Sequence, residues 1–471
     1  MGELSDLIRP GSGRGLDFVI LDELRKRTGI SVSEILKFSV AEMIANALDT
    51  DATKIFVETR TVGQFDEVTV RDNGAKQISL EELELVLDFM SKASSKRGFL
   101  RVSRGYLGNA LKCLFGYSYA LAEYRGLTPP EILVKSHKTE YTINLKPNKV
   151  TEIIETDIAV IETEDTGINS FTIRFPIYRA HSGESSPILE FIAISSIIFA
   201  SSMVNPTRQF TYSLWDGSDL SHFYEKTKGT FGEAEDTPPL RKDTSILWYE
   251  PKQFEALFYD FVRARPTTQL REFLSLFRGF TSKNVQKVVK EKLHELNDAG
   301  DHDSQGGDHV QFFPSVQIES LSREDVRRLY TIMMERAKPI AKRSISNVLG
   351  AVGKENFESV MEQRGWKRLK YTLKKGRKKT VYIDIANDKC VSFPFLIELA
   401  VFDRGEDGVG LQVFQCVNFM ASMEDIFSRL FSIKYRLGRV GITEKSNVTV
   451  VAHLVSPALK WLNYGKSGLY E

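Results

Sequence analysis

The chain has 471 residues, 42% of them hydrophobic and 11% aromatic, with 63 Lys and Arg against 62 Asp and Glu for a formal net charge of +1. That length exceeds one ordinary hydrophobic core and suggests about three domains, and the apolar content is that of a folded, soluble protein. A near-neutral total neither requires nor excludes nucleic acid, because a local basic patch can sit on a neutral chain.

The N-terminal stretch MGELSDLIRPGSGRG lacks the hydrophobic centre of a secretory signal. The longest apolar stretch, FIAISSIIFASSMV, is interrupted by serines and falls short of the roughly 18 apolar residues of a membrane span, so it reads as a buried helix and no membrane partner is expected. Cys113, Cys390 and Cys416 are far apart and have no metal spacing. They fit reduced structural thiols in a cytoplasmic protein, nucleoid-associated if prokaryotic.

Along the first 180 residues, helical and strand patterns alternate. VSEILKFSVAEMIANALD is helical, KIFVETR and EVTVRDNG alternate with period two, SLEELELVLDFMSKA is helical again, and YTINLK and NSFTIRFP are strands. Such interleaving implies a sheet covered by helices. PILEFIAISSIIFASSMVNPTRQFTYSLWDG predicts a long buried helix leading into an edge hairpin. The proline-containing link AEDTPPLRKD follows, and then a helical module that breaks at Pro266 and near Gly279. NDAGDHDSQGGDHV reads as a flexible, solvated linker, and its Asp and His residues lack the rigid frame of a metal site. VYIDIA, GLQVFQCVNF and NVTVVAHLV are strands of a second α/β region. The expected division is 1–240, a helical unit over 241–300, a linker over 301–310, and 311–471.

The helix EMIANALD places Glu42, Asn46 and Asp49 within an arc of roughly 60°. Met43, Ile44, Ala47 and Leu48 take the opposite side. An isolated stripe of this kind is most often a solvated face, although this one has no cation. Asp72 follows a strand and begins an Asp-Asn-Gly turn with Gly74, which directs a carboxylate to the end of the sheet. In SKASSKRGFLRVSRGYLGNALKCLFG, Gly105 and Gly108 permit close backbone approach, and a helix starting near Asn109 and Ala110 presents unpaired N–H groups to an anion. Lys92, Lys96, Arg97, Arg101 and Arg104 add positive charge there. Each feature alone is commonly structural.

In this order, the helix with Glu-x-x-x-Asn-x-x-Asp, the strand with Asp-x-Gly, and the Gly-x-x-Gly that opens a helix resemble the Bergerat ATP-binding fold of the GHKL superfamily. The resemblance implies an α+β multidomain protein whose first domain is a Bergerat α/β sandwich ATPase, with ATP and Mg²⁺ as cofactors. It implies that Glu42 is the general base polarising the attacking water, Asn46 the metal ligand, and Asp49 a group near the adenine side. Asp72, with Gly74, would accept a hydrogen bond from the adenine amino group. Lys96 and the lid segment Gly105, Tyr106, Leu107, Gly108, Asn109 and Ala110 would close over the phosphates. The chemistry agrees, since hydrolysis needs a carboxylate beside a water and a hard cation to offset phosphate charge. A glutamate at the base position argues against the histidine-kinase branch. One departure is Lys76, which stands where the family has a second glycine and has to be accommodated at the pocket edge.

Later segments resemble the B subunit of DNA topoisomerase VI in the same order over nearly the full length. PTTQLREFLSLFRGFTSKNVQKVVKE is similar to its helix-two-turns-helix insert. SNVLGAVGKENF is similar to its Leu-x-Pro-x-Gly segment, with alanine for proline. QVFQCVNFMA and VTVVAHLVSPALKWLNYGKSG are similar to its transducer strands. By that resemblance Lys466 is a switch lysine reaching the γ-phosphate, ATP drives homodimerisation around double-stranded DNA, and cleavage is left to a separate A-type subunit. In the family a long helix beyond the switch lysine docks that subunit, whereas this sequence stops at Glu471, so truncation or a different docking mode is implied. The alternatives are a GHKL clamp without topoisomerase activity, serving repair, chromosome handling or defence, and a non-hydrolysing bridging protein. Neither GAVGKEN nor NYGKSG has P-loop spacing.

From Arg364 to Lys379 there are nine basic residues and no acidic one, with Trp366 and Tyr371 interleaved. The segment reads as a basic hairpin suited to phosphate contacts with duplex DNA. Its candidates are Lys367, Arg368, Lys370, Lys374, Lys375, Arg377, Lys378 and Lys379.

Overall fold

A computed structural model describes residues 15–49, 52–90, 99–102, 109–177, 187–215, 223–228, 244–298, 317–362, 364–383, 388–406, 409–423 and 437–459. The architecture is α+β, with two mixed sheets and helices packed on both.

The first sheet contains β1 (Lys54–Val62), β2 (Phe65–Asp72), β3 (Ile132–Ser136), β4 (Thr139–Asn148), β5 (Ile153–Glu162), β6 (Asn169–Pro176), β7 (Gln209–Trp215) and β8 (Phe223–Lys228). Their order is β5-β4-β3-β6-β2-β1-β7-β8. β1 and β7 run parallel, and the other pairs are antiparallel. Val62 pairs with Phe65, so Gly63 and Gln64 form a two-residue hairpin, and Gly63 supplies the positive φ of 61° that such a turn requires. β7 and β8 form the edge hairpin expected after the buried helix.

Ile55, Val57, Val68, Val70, Ile173, Phe175, Phe210 and Tyr212 alternate along their strands and point into one apolar core. Helices α1 (Leu21–Thr28), α2 (Ile35–Asp49), α3 (Leu80–Leu87), α4 (Ala110–Tyr124) and α5 (Pro187–Val204) accompany this sheet. α2 lies on β2, α4 on β6 and α5 on β7. Twelve of the fifteen residues of α2 are buried, so it is an internal helix rather than a two-faced surface one. α3 is shorter than its pattern suggests. A Ser79–Glu82 capping box starts it, and Asp88 leaves the helix with extended backbone at φ −71°, ψ 92°.

The second sheet has the order β12-β11-β13-β10-β9, built from β9 (Lys367–Ile383), β10 (Asp388–Asp403), β11 (Gln412–Val417), β12 (Met420–Ala421) and β13 (Val448–Val455). The basic segment is therefore not a hairpin in itself but one long edge strand, paired with β10 from Lys367 to Ile383. β10 is central yet contains Pro394. Its pairing with β13 covers only Leu396 to Asp403, so Pro394 lies where β10 has a neighbour on one side alone and the missing N–H is tolerated.

α6 (Pro251–Ala264), α7 (Leu270–Ser275), α8 (Lys283–Asp298), α9 (Arg323–Arg336), α10 (Ile345–Leu349) and α11 (Lys354–Glu362) share a second core with this sheet. Phe254, Phe258, Phe273 and Phe277 stack there at 5.0–6.0 Å between ring centroids. Each such pair contributes about 0.5–1.5 kcal/mol beyond its buried area. The chain turns at Gly279 with φ 88°, ending the α7 segment where the sequence predicts a break. α5 belongs to both cores: Ile194, Ile197 and Ile198 enter the first, Phe199, Ala200 and Met203 the second.

Candidate nucleotide site

Glu42 is 7% exposed, and Asn46 and Asp49 are half-buried on the same helix. A carboxylate at that depth is not part of a solvated stripe, because burying a charge without a compensating arrangement is costly. α2 packs against β1, against β2, which ends at Asp72, and against α4, which Asn109 caps. Burial pushes the neighbouring Cys113 thiol on α4 up to about 12, opposed by Arg27 and reinforced by the charge of Glu42. The Arg101 guanidinium has its pKa lowered by burial, with Tyr249 and then Asp49 acting in the opposite sense. Residues 99–102 are fastened to the second core through Leu100, whose N–H donates to Tyr249 Oη at 2.7 Å and whose carbonyl accepts from Thr244 Oγ1 at 2.6 Å.

Every side chain of the Asp72–Gly74 turn is used. Asp72 is 5% exposed, and its Oδ1 accepts from Gly74 N–H at 2.8 Å. Asn73 Oδ1 accepts from the Thr53 and Lys54 amides at 2.9 and 2.8 Å, tying the turn to the start of β1. Asn169, 1% exposed at the start of β6, donates from Nδ2 to Asp72 Oδ1 at 3.3 Å, Gly74 O at 3.0 Å and Lys76 O at 3.2 Å. Ser136 Oγ donates to Asn169 Oδ1 at 3.1 Å and accepts from Ile78 N–H at 2.7 Å. His137 Nε2 lies 3.0 Å from Gly74 O. Lys76 is exposed, and its Nζ pairs with Glu82 at 3.2 Å on α3.

Asn109 is the N-cap of α4 and 2% exposed, but its side chain makes no cap hydrogen bond and its Oδ1 is buried without a partner among the described residues. An orphaned buried acceptor at a helix start fits a site completed by a ligand. Ala110 next to it is half-buried. One turn on, Lys112 is fully buried. Its Nζ donates to the carbonyl of Asp88 at the end of α3, and burial lowers its pKa against the opposing charge of Asp88. Lys96, Gly105, Tyr106, Leu107, Gly108 and Lys466 lie outside the described residues. Among the described residues no group of three His, Cys, Asp or Glu could hold a metal ion. The buried Oδ1 of Asn109 is a neutral hard donor, of the kind that suits a Mg²⁺ held mainly by phosphate oxygens and water.

The eight basic candidates of β9 separate by face. Tyr371 and Leu373 pack on the second core. The same face carries Arg368, which pairs with Glu358, and Arg377, which is exposed and donates to Ile340 O. Arg368 joins that face because the pairing with β10 shifts register between Lys370 and Arg368. Lys375 is half-buried. Lys367, Lys370, Lys374 and Lys378 are exposed, and Lys379 follows in the strand.

Sequence reading did not single out Asn169, Ser136 or Lys112. The only signal for Asn169 is an amide opening the strand NSFTIRFP. Ser136 and Lys112 carry none, because their roles depend on strands and helices distant in sequence.

No family model and no curated protein matches the chain. Among solved structures it is similar to the N-terminal domain of a DNA repair protein, at 10% identity and a TM-score of 0.39, over 93% of this chain and 88% of that one. It is also similar to the Aquifex aeolicus MutL ATPase domain complexed with ADP, at 12% identity and 0.33, over 88% and 89%. A third is the B-subunit of the DNA gyrase from Myxococcus xanthus, at 7% and 0.35, over 96% and 86%. At these identities and scores the likenesses assign no residue a role. Among the described residues no helix is long and apolar enough to cross a membrane.

Proposed function

We propose that the chain is a Mg²⁺-dependent ATPase of the GHKL type that acts on DNA. The observation carrying this reading is a buried carboxylate, Glu42, on an internal helix that packs against β2, which ends in the Asp72 turn, and against α4, whose N-cap Asn109 has an Oδ1 with no hydrogen-bond partner among the described residues. In this reading Glu42 holds and deprotonates the attacking water, and Asp72 accepts from the base. Asn46 and Asn109 offer oxygens to the cation side, and the N-terminus of α4 faces the phosphates. Bound Mg²⁺ would supply charge neutralisation at the phosphate oxygens. Glu42 and Asn46 are one helical turn apart on a helix fixed by burial, so base and cation ligand keep a constant separation.

The finer form of the proposal is a B-type ATPase subunit of a topoisomerase VI-like enzyme. It would dimerise on ATP around duplex DNA, with Lys466 reaching the γ-phosphate, the lid closing over the nucleotide phosphates, and the exposed lysines of β9 on the DNA phosphates. The continuous core shared by α6–α11, the second sheet and the end of α5 supports a unit able to pass movement from the first sheet to the second.

Purified protein is expected to hydrolyse ATP with Mg²⁺, and Glu42→Ala to lose at least about 100-fold in turnover while still binding nucleotide. Undiminished turnover in that variant removes Glu42 as the base. Supercoil relaxation with a candidate A-type subunit tests the finer form, and ATP hydrolysis without relaxation favours a clamp of another kind.

A further inference from the structure

The turn that follows Asp72 carries Lys76 where the nucleotide-binding reading expects a glycine, yet the chain there is held rather than loosened. The two hydrogens of Asn169 Nδ2 are shared among three acceptors, Asp72 Oδ1, Gly74 O and Lys76 O, at 3.0–3.3 Å. Its carbonyl oxygen is in turn fixed by Ser136 Oγ, itself fixed by the Ile78 amide. Asn169 and Ser136 are both nearly inaccessible, at 1% and 2%, and they are paired across neighbouring strands, since Ser136 is the register partner of Asn169. His137 meets the Gly74 carbonyl from the other side. Lys76 has its backbone carbonyl turned to Asn169 and its ammonium turned away to Glu82.

We propose that Asn169, supported by Ser136, is the positioning residue for the base side of the candidate nucleotide pocket. It takes over the conformational task of the absent glycine and aims Asp72 as an acceptor toward a purine with an exocyclic amino group. This rests on the nucleotide-binding reading above. Two consequences separate it from simple packing. Lys76 is peripheral to binding, because its side chain ends on α3. Selection between a 6-amino and a 6-oxo purine depends on Asn169, because a carboxylate that is not held in place accepts poorly from the amino group, and a misdirected acceptor rejects the wrong base less well. The orientation of an Asn amide is assigned from its network, and here all three acceptors require the nitrogen on the turn side.

The test is direct binding of ATP and of inosine triphosphate to the full chain, followed by steady-state hydrolysis. Asn169→Asp keeps the shape, removes the donor and sets a second carboxylate against Asp72; Ser136→Ala is the milder variant. Asn169→Asp is expected to weaken ATP binding about tenfold or more and to compress the ATP-to-inosine triphosphate ratio toward one, with the loss in KM rather than kcat. Ser136→Ala is expected to shift both in the same direction by a smaller factor, and Lys76→Gly to change ATP affinity by less than about twofold. Circular dichroism establishes that each variant is folded. If the wild type binds ATP and both Asn169→Asp and Ser136→Ala keep its affinity and its base ratio, the inference is overturned and the ATPase reading stands. If the wild type binds neither nucleotide, both fall.

Discussion

Burial pushes the Cys113 thiol up to about 12, and burial alone raises that of Cys416 further. Neither thiol is a nucleophile at neutral pH, which agrees with the structural role inferred from their spacing. In native protein at pH 8, iodoacetamide should modify each at less than ~10% while both react fully in guanidinium; peptide mass spectrometry reads the outcome, and rapid native labelling of Cys113 would contradict its packing beside Glu42. The same scale shows why residue type is a weak guide. Glu42 and Glu67 are both buried glutamates, but Glu67 lies between Arg60 and Arg174 as a cross-strand bridge, whereas Glu42 sits on an internal helix next to a turn and a helix start.

At the scale of elements, β9 is the clearest case. A period-two strand sorts its cations onto two faces, and the core face satisfies Arg368 and Arg377 within the fold. The exposed lysines Lys370, Lys374 and Lys378 are four apart, about 13 Å along a strand. On the proposed DNA reading, reversing these three should lower the slope of log K against log salt by roughly 0.9 for each phosphate that is no longer neutralised. Arg368→Glu should instead lower thermal stability and leave the slope nearly unchanged. Equal salt slopes in wild type and the triple variant would remove β9 from the DNA interface. The strand is also an edge, and its run of lysines discourages unplanned pairing with another chain, which accounts for part of its charge without any ligand.

For the whole molecule, the junction of the two sheets depends on a buried polar chain through apolar packing. Glu398 is fully buried and accepts four hydrogen bonds. They come from the Val352 and Gly353 amides at 3.0 and 2.8 Å, Tyr371 Oη at 2.8 Å and His453 Nδ1 at 3.0 Å. His453 Nε2 accepts from Phe419 N–H at 3.2 Å, which fixes the tautomer, and Phe419 O accepts from Asn205 just beyond α5 at 2.8 Å. Burial acts to raise the Glu398 pKa, but the hydrogen bonds from His453 and from the Gly353 and Val352 amides outweigh it, so the carboxyl lies below its ordinary value. A depressed folded-state pKa contributes stability that is present above the unfolded value, roughly 4.3, and is lost as pH falls through the folded one. Denaturant melts should therefore show stability decreasing below about pH 4.3, with Glu398→Gln flattening that dependence. Glu398→Leu should cost about 3–5 kcal/mol at pH 7, because it leaves buried donors unanswered. A pH profile identical in wild type and Glu398→Gln would place the acid sensitivity elsewhere.

Local pattern was sufficient for much of this protein. The helices at 35–49 and 187–204, strands β1, β2, β4 and β6 with the β7–β8 edge hairpin, the Asp-Asn-Gly turn and the breaks near Pro266 and Gly279 follow from periodicity, turn chemistry and proline and glycine geometry, which act over a few residues. Glu42, Asn46, Asp72 and Asn109 were placed on these elements for the same reason, while their proposed roles come from the family resemblance. Burial and partnership were not. That α2 buries twelve of its fifteen residues, that Asn169 holds a turn ninety-odd residues away, and that Glu398 joins strands to a glycine loop are decided by strand order and packing. Hydrogen bonds across a sheet join residues whose separation in sequence is set by topology, and no local signal encodes it.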